Sequence, residues 1–110
     1  MSLPNAELAF VEPAKVRDYL LSPTHPIGRF KAAVFTALGY NQAQWEVLRD
    51  DLLALAKSGA LLDGQPSHYG QKFEVGGILT GPSGRSVPVR TVWIVRSADQ
   101  APRFVTAFPR

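Results

Sequence analysis

The chain has 110 residues, 45% hydrophobic and 19% charged, with a net charge of +3 and no cysteine. This length fits a single domain over 1–110, the balance supports a buried core rather than disorder, and the lack of cysteine excludes disulfides and thiolate metal sites. No apolar run approaches the ~18 residues that span a membrane. The first ten residues lack the basic and apolar regions of a secretory signal, so the expected location is cytoplasmic, with no membrane partner.

Residues 1–11 read as an irregular arm ending in a short strand, Leu8 to Val11. Pro13 suits the first position of a helix, where its missing N–H costs nothing. Val16, Tyr19 and Leu20 follow at i, i+3 and i+4 as an amphipathic stripe, and Ser22-Pro23 ends that helix. The stretch Ser22-Pro23-Thr24-His25-Pro26-Ile27-Gly28 is a stiff turn. A second helix is predicted from near Gly28 to Leu38, with Ile27, Val34, Phe35 and Leu38 as its apolar face and Gly39 as a left-handed stop. Asn41 with Gln44 makes a capping-box pattern for the third helix, in which Trp45, Leu48, Leu52 and Leu55 recur on one face until Gly59.

After Gly59 the period changes from helical to alternating. Strands are predicted over 60–65, 71–80, 86–96 and 102–108, with Gly81-Pro82-Ser83-Gly84 as a hairpin turn and 97–101 as a loop. On the third strand Val87, Val89, Thr91, Trp93 and Val95 share the face expected to meet the helices. Ser86, Pro88, Arg90, Val92, Ile94 and Arg96 share the more open one, and Pro88 marks a candidate bulge. Helices first and strands second imply an α+β fold. It has three N-terminal helical segments packed on a C-terminal antiparallel sheet of about four strands.

Charge is unevenly spread. Residues 84–110 carry Arg85, Arg90, Arg96, Arg103 and Arg110 against Asp99 alone, a basic side suited to anionic partners such as nucleic acid, or a solvated sheet surface. Lys31 is the informative oddity. It is a cation in the first turn of a helix, where the dipole is also positive, and at the edge of an apolar stripe. An anion bound at the free N–H groups there removes that penalty. With Arg29 beside it and His25 in the loop before the helix, Lys31 marks a candidate phosphate or carboxylate site. The bland alternative has Lys31 laying its stem on the core with its head in water, and His25 bonded to backbone as a turn residue. His68 is read as structural or solvent-facing. No His/Asp/Glu set has metal-ligand spacing, and there is no P-loop, dinucleotide-binding fingerprint or nucleophile elbow, so no metal or cofactor is expected. Trp45 is read as core. So is Trp93, with base stacking on the sheet as its alternative.

The runs Leu3-Pro4-Asn5, His25-Pro26-Ile27-Gly28, Lys31-Ala32, Leu38-Gly39-Tyr40, Tyr69-Gly70-Gln71-Lys72, Arg90-Thr91-Val92-Trp93 and Thr106-Ala107 resemble a family of uncharacterised bacterial domains. So do Lys15 to Leu21 and Leu79 to Arg85, and the match covers nearly the whole chain. Members occur as small stand-alone proteins and at the C-termini of polymorphic toxins. More loosely, the plan is similar to that of the barnase, EndoU, colicin and RelE-like ribonuclease toxins, a fold-level analogy. The resemblance implies a metal-independent endoribonuclease. His25 would be base or acid, Lys31 and Arg90 would stabilise the phosphorane charge, and Thr106 and Tyr69 would hold the phosphate or orient the base. Arg29, Thr91 and Trp93 join Tyr69 as candidate substrate contacts. The chain lacks a second catalytic histidine unless His68 serves. The other reading is a non-catalytic interaction module of a toxin–antitoxin-like pair, bound to a small antitoxin or immunity protein.

Overall fold

The computed structural model describes residues 2–68, 70–96 and 100–110. The architecture is α+β, with three helical segments followed by a four-stranded antiparallel sheet. Helix α1 begins at Pro13, runs over Pro13–Lys15 and widens into a π turn over Val16–Leu20, closed by a bond from Leu21 N–H back to Val16 O at 2.9 Å. Val16, Leu20 and Leu21 go into the core, while Tyr19 stays half-buried at its margin. The expected strand before α1 is instead a 3-10 turn, Ala6–Leu8, and one parallel bridge from Phe10 to Arg103. Pro13 leaves the arm room for a single bridge, which exchanges 3.0 Å bonds with Pro102 and Phe104.

Helix α2 spans Arg29–Ala37. It buries Ala32, Phe35 and Leu38, but Ile27, expected on that face, is 62% exposed. Its position explains the correction. Ile27 lies before the first helical residue, Arg29, so the period that turns Phe35 and Leu38 inward does not fix its side chain. Gly39 has φ 102°, the left-handed conformation expected of the helix stop, and a Cβ there would sit 2.6 Å from Ser83 N. The end of α2 therefore docks directly on the hairpin turn at Pro82 and Ser83. Asn41 Oδ1 accepts from Gln44 N–H at 2.9 Å and opens a short 3-10 turn, Gln42–Gln44, that leads into α3, Trp45–Ser58. Leu48, Leu52, Leu55 and Ala56 form the buried face of α3.

Strands β1 (Ala60–Ser67), β2 (Gly70–Thr80), β3 (Ser86–Arg96) and β4 (Arg103–Pro109) pair in the order β1-β2-β3-β4. The β2–β3 register is unbroken past Pro88, so the bulge expected there is absent. Register shifts lie instead between β1 and β2, at Leu61–Asp63, and between β3 and β4. Trp93 pairs with Phe104 and Val92 with Thr106, leaving Val105 as the extra residue. Val89, Thr91 and Trp93 face the helices, with Phe73, Val75, Phe104 and Ala107 beside them. Arg90, Val92, Thr106 and Phe108 share the opposite face.

Tyr40 crosses this core with its hydroxyl donating to Asp51 Oδ2 at 2.6 Å. Burial, then that bond and the Asp51 charge, push the phenol well above its ordinary range. The unfolded chain therefore loses the Tyr40 proton first as pH rises past about 10, and the folded chain keeps it. The contribution is full below that pH and falls above it by about 1.4 kcal/mol per pH unit. Tyr40→Phe should remove this alkaline slope, read as the wild-type minus variant difference in denaturant stability between pH 9 and 11. Equal slopes in the two proteins would contradict it.

Candidate functional site

The sequence between α1 and α2 builds a fixed loop. Ser22 Oγ accepts from His25 N–H at 3.1 Å and from Thr24 N–H at 3.3 Å, which orients His25. His25 Nδ1 then accepts from Ile27 N–H at 3.1 Å and Gly28 N–H at 2.9 Å, capping the entry to α2 in place of an N-cap side chain. The neutral ring therefore carries its proton on Nε2. Gly28 presses against α1: a Cβ there would lie 2.1 Å from Tyr19 O. The His25 ring also meets the Tyr19 ring edge-on, with centroids 5.0 Å apart. The π turn, the loop and the first turn of α2 thus hold one another in place. π turns recur at functional sites because the wider turn re-aims a side chain.

Here the re-aimed side chain is Tyr19. Lys31 Nζ donates to Tyr19 Oη at 3.0 Å and to Thr106 Oγ1 at 2.7 Å. It also stands 5.2 Å from the Tyr19 ring and 5.7 Å from that of Phe108. Lys31 is half-buried, yet among the described residues no carboxylate forms an ion pair with its ammonium. The acids nearby are engaged elsewhere. Arg17 holds Asp18 with two 2.9 Å bonds and lowers its carboxyl below the usual range, and Arg103 holds Glu12 at 2.8 Å. Burial raises the Tyr19 phenol. Hydrogen bonds from Lys31 and Thr106, with the charges of Lys31 and Lys15, outweigh it and bring the hydroxyl below its ordinary value of 10.0.

The partners of Lys31, Tyr19 and Thr106, open with His25 on a cleft of about 580 Å³ that Lys15, Asp18 and Val105 also line. The β4 bulge places Val105 and Thr106 on its wall. A smaller cleft of about 290 Å³ between α3 and β2 contains one charged side chain, Asp51, which is already bonded to Tyr40. Among the described residues no cluster of three His, Asp or Glu side chains could hold a metal ion, and no helix is long and apolar enough to cross a membrane.

Three of the expected catalytic residues, His25, Lys31 and Thr106, therefore meet around Tyr19. Arg90 shares the sheet face of Thr106, with Phe108 as its direct cross-strand neighbour and Thr106 one diagonal step away, roughly 7–8 Å between Cα atoms. Its guanidinium pairs with Glu74 at 3.2 Å, so its charge is partly balanced. The base role expected of His25 does not sit with its geometry, because the one nitrogen able to accept a proton is taken by two backbone donors. Thr91 and Trp93 are fully buried in the core, so neither offers a surface to substrate: Thr91 Oγ1 donates to Val75 O and accepts from Trp93 Nε1, both at 2.8 Å. Arg29 is exposed and stacks on Phe30 rather than lining the cleft. Tyr69 lies outside the described residues.

Tyr19 is the functional candidate that sequence reading passed over. It falls on the apolar stripe of α1 and scores as core, and the π turn that re-aims it leaves no simple mark in the residue pattern. Its environment can be tested directly. Absorbance titration of the phenols, of which the chain has three, should show one ionising below the ordinary range. Lys31→Met should move that transition upward, and an unchanged curve would count against the Lys31–Tyr19 bond.

The model of the DUF6883 family, a domain of unknown function, matches residues 2–110. Among solved structures, a chain of the contact-dependent growth inhibition toxin–immunity protein complex from Klebsiella pneumoniae 342 is similar, with a TM-score of 0.75, 22% identity and 96% of each chain covered. At that identity the likeness concerns the fold. No curated protein matches the chain.

Proposed function

The chain belongs to the DUF6883 family, and from that membership and the Lys31–Tyr19–Thr106 cluster at the edge of the cleft we propose a toxin-type domain that binds RNA phosphate and cleaves it without a metal. The observation that carries this reading is half-buried Lys31, its ammonium held by two hydroxyls and without a carboxylate partner among the described residues. A phosphodiester supplies the missing charge. Fold likeness to a chain of a toxin–immunity protein complex supports a toxin-associated module, and on this reading a small immunity protein is its partner.

In the reacting state Tyr19 has given its phenolic proton to solvent, and the phenolate takes the proton of the RNA 2′-hydroxyl. The bond from the 2′-oxygen to phosphorus forms, and the bond from phosphorus to the 5′-oxygen breaks. Lys31 neutralises the phosphorane oxygens and protonates the departing 5′-oxygen. The proton returns from Tyr19 to Lys31 across their 3.0 Å bond. His25 contributes its Nε2–H as a donor to a phosphate oxygen, and Arg90 serves an adjacent phosphate.

The second reading, a non-catalytic binding module, is favoured by one observation: His25 Nδ1 is occupied by two backbone donors at the entry to α2, a structural role rather than that of a proton shuttle. Incubation of purified protein with total RNA in chelator separates the two. Wild type should leave 2′,3′-cyclic phosphate ends that Tyr19→Phe and Lys31→Met do not produce. Intact RNA in every lane would favour the module.

A further inference from the structure

Phe30 follows Arg29 in the first turn of α2 and points outward, 69% exposed. The Arg29 guanidinium lies over its ring, 4.7 Å from the centroid. A large aromatic in water beside the Lys31 site has no structural task in the core. We propose that Phe30, backed by Arg29, is a stacking platform for a nucleobase of single-stranded RNA, one nucleotide along from the phosphate at Lys31. This deepens the RNA reading above and rests on it.

The occupant follows from charge and area. Residues 19–45 contain Arg29 and Lys31 and no aspartate or glutamate, so this end of the molecule suits a polyanion. A base stacks flat on a ring whose other face is closed by a guanidinium, and the phosphate chain gains a second cation in Arg29. A stable protein partner would need about 800 Å² on this side. The large exposed apolar side chains of this segment are Ile27 and Phe30, and even the largest buries only about 150–250 Å².

The test uses a fluorescein-labelled single-stranded hexanucleotide with 2′-O-methyl riboses, which cannot be cleaved, read by anisotropy, with inorganic phosphate as competitor. Phe30→Ala should weaken oligonucleotide binding roughly 5- to 150-fold, while Phe30→Trp preserves it. The phosphate competition constant should be the same in wild type and Phe30→Ala, and Lys31→Met should weaken both ligands. If Phe30→Ala binds within twofold of wild type while Lys31→Met does not, the platform is overturned and the RNA reading stands. The Ile27–Phe30 surface would then fall to a protein partner. If wild type binds no oligonucleotide, the platform and the RNA reading fall together.

Discussion

Lys31→Met should reduce RNA cleavage by about 10²–10³-fold while leaving the fold intact, the loss typical when one preorganised donor to a developing oxyanion is removed. Methionine keeps the stem that packs beside the Tyr19 and Phe108 rings and deletes the ammonium. The Tyr19 and Thr106 hydroxyls, both within 3.0 Å of Nζ in the native protein, remain close enough to bond each other. The variant should therefore melt near wild type. Lys31→Arg should rescue only part of the rate, because a planar fork does not fit where a point charge bridges two oxygens. The Tyr19→Phe variant separates the roles. It retains the cation and should retain affinity for RNA while losing turnover, so the defect lies in rate rather than binding. Initial rates on a defined oligoribonucleotide decide the matter, and a Lys31→Met rate within tenfold of wild type would remove Lys31 from the mechanism.

The largest effect on stability is expected at Trp93. Its side chain is 0% exposed, meets Phe104 edge-to-face at 5.3 Å and donates to Thr91 Oγ1. Trp93→Ala leaves a cavity in the core beside Phe73 and Phe104 and should cost about 3–5 kcal/mol. Domains of this kind are held by about 5–15 kcal/mol in total. The melting temperature should fall by roughly 12 °C or more. Trp93→Phe fills most of the space and forfeits one hydrogen bond, a loss of about 1 kcal/mol, since Thr91 still donates to Val75 O. Thermal melts of the three proteins test the ranking. A Trp93→Ala variant that melts with wild type but fails to bind RNA would return Trp93 to the substrate-contact role that its burial argues against.

The helices and strands were legible because their signals are local. The spacing of Leu48, Leu52 and Leu55, the Asn41 cap, the Gly39 stop and the alternation of Val89, Thr91 and Trp93 each depend on neighbours within a few residues. Lys31 was legible as a misfit for the same reason, a cation at the positive end of a helix. Ile27 misled because a residue just before a helix has no settled face until the helix docks. Pro88 misled because a proline permits a bulge without requiring one.

Composition and pattern by themselves determined an α+β chain with its core faces and one anomalous lysine. Tertiary structure alone decided what that lysine meets. Thr106 lies 75 residues away from it, and a slip of the β4 register around Val105 would turn the hydroxyl to the other face of the sheet. Tyr19 reaches Lys31 because a π turn and the bare backbone of Gly28 set the distance between α1 and α2. Hydrophobic periodicity records which side of an element is buried. It carries no record of which distant elements a polar side chain will face, because that is settled by packing of the whole chain.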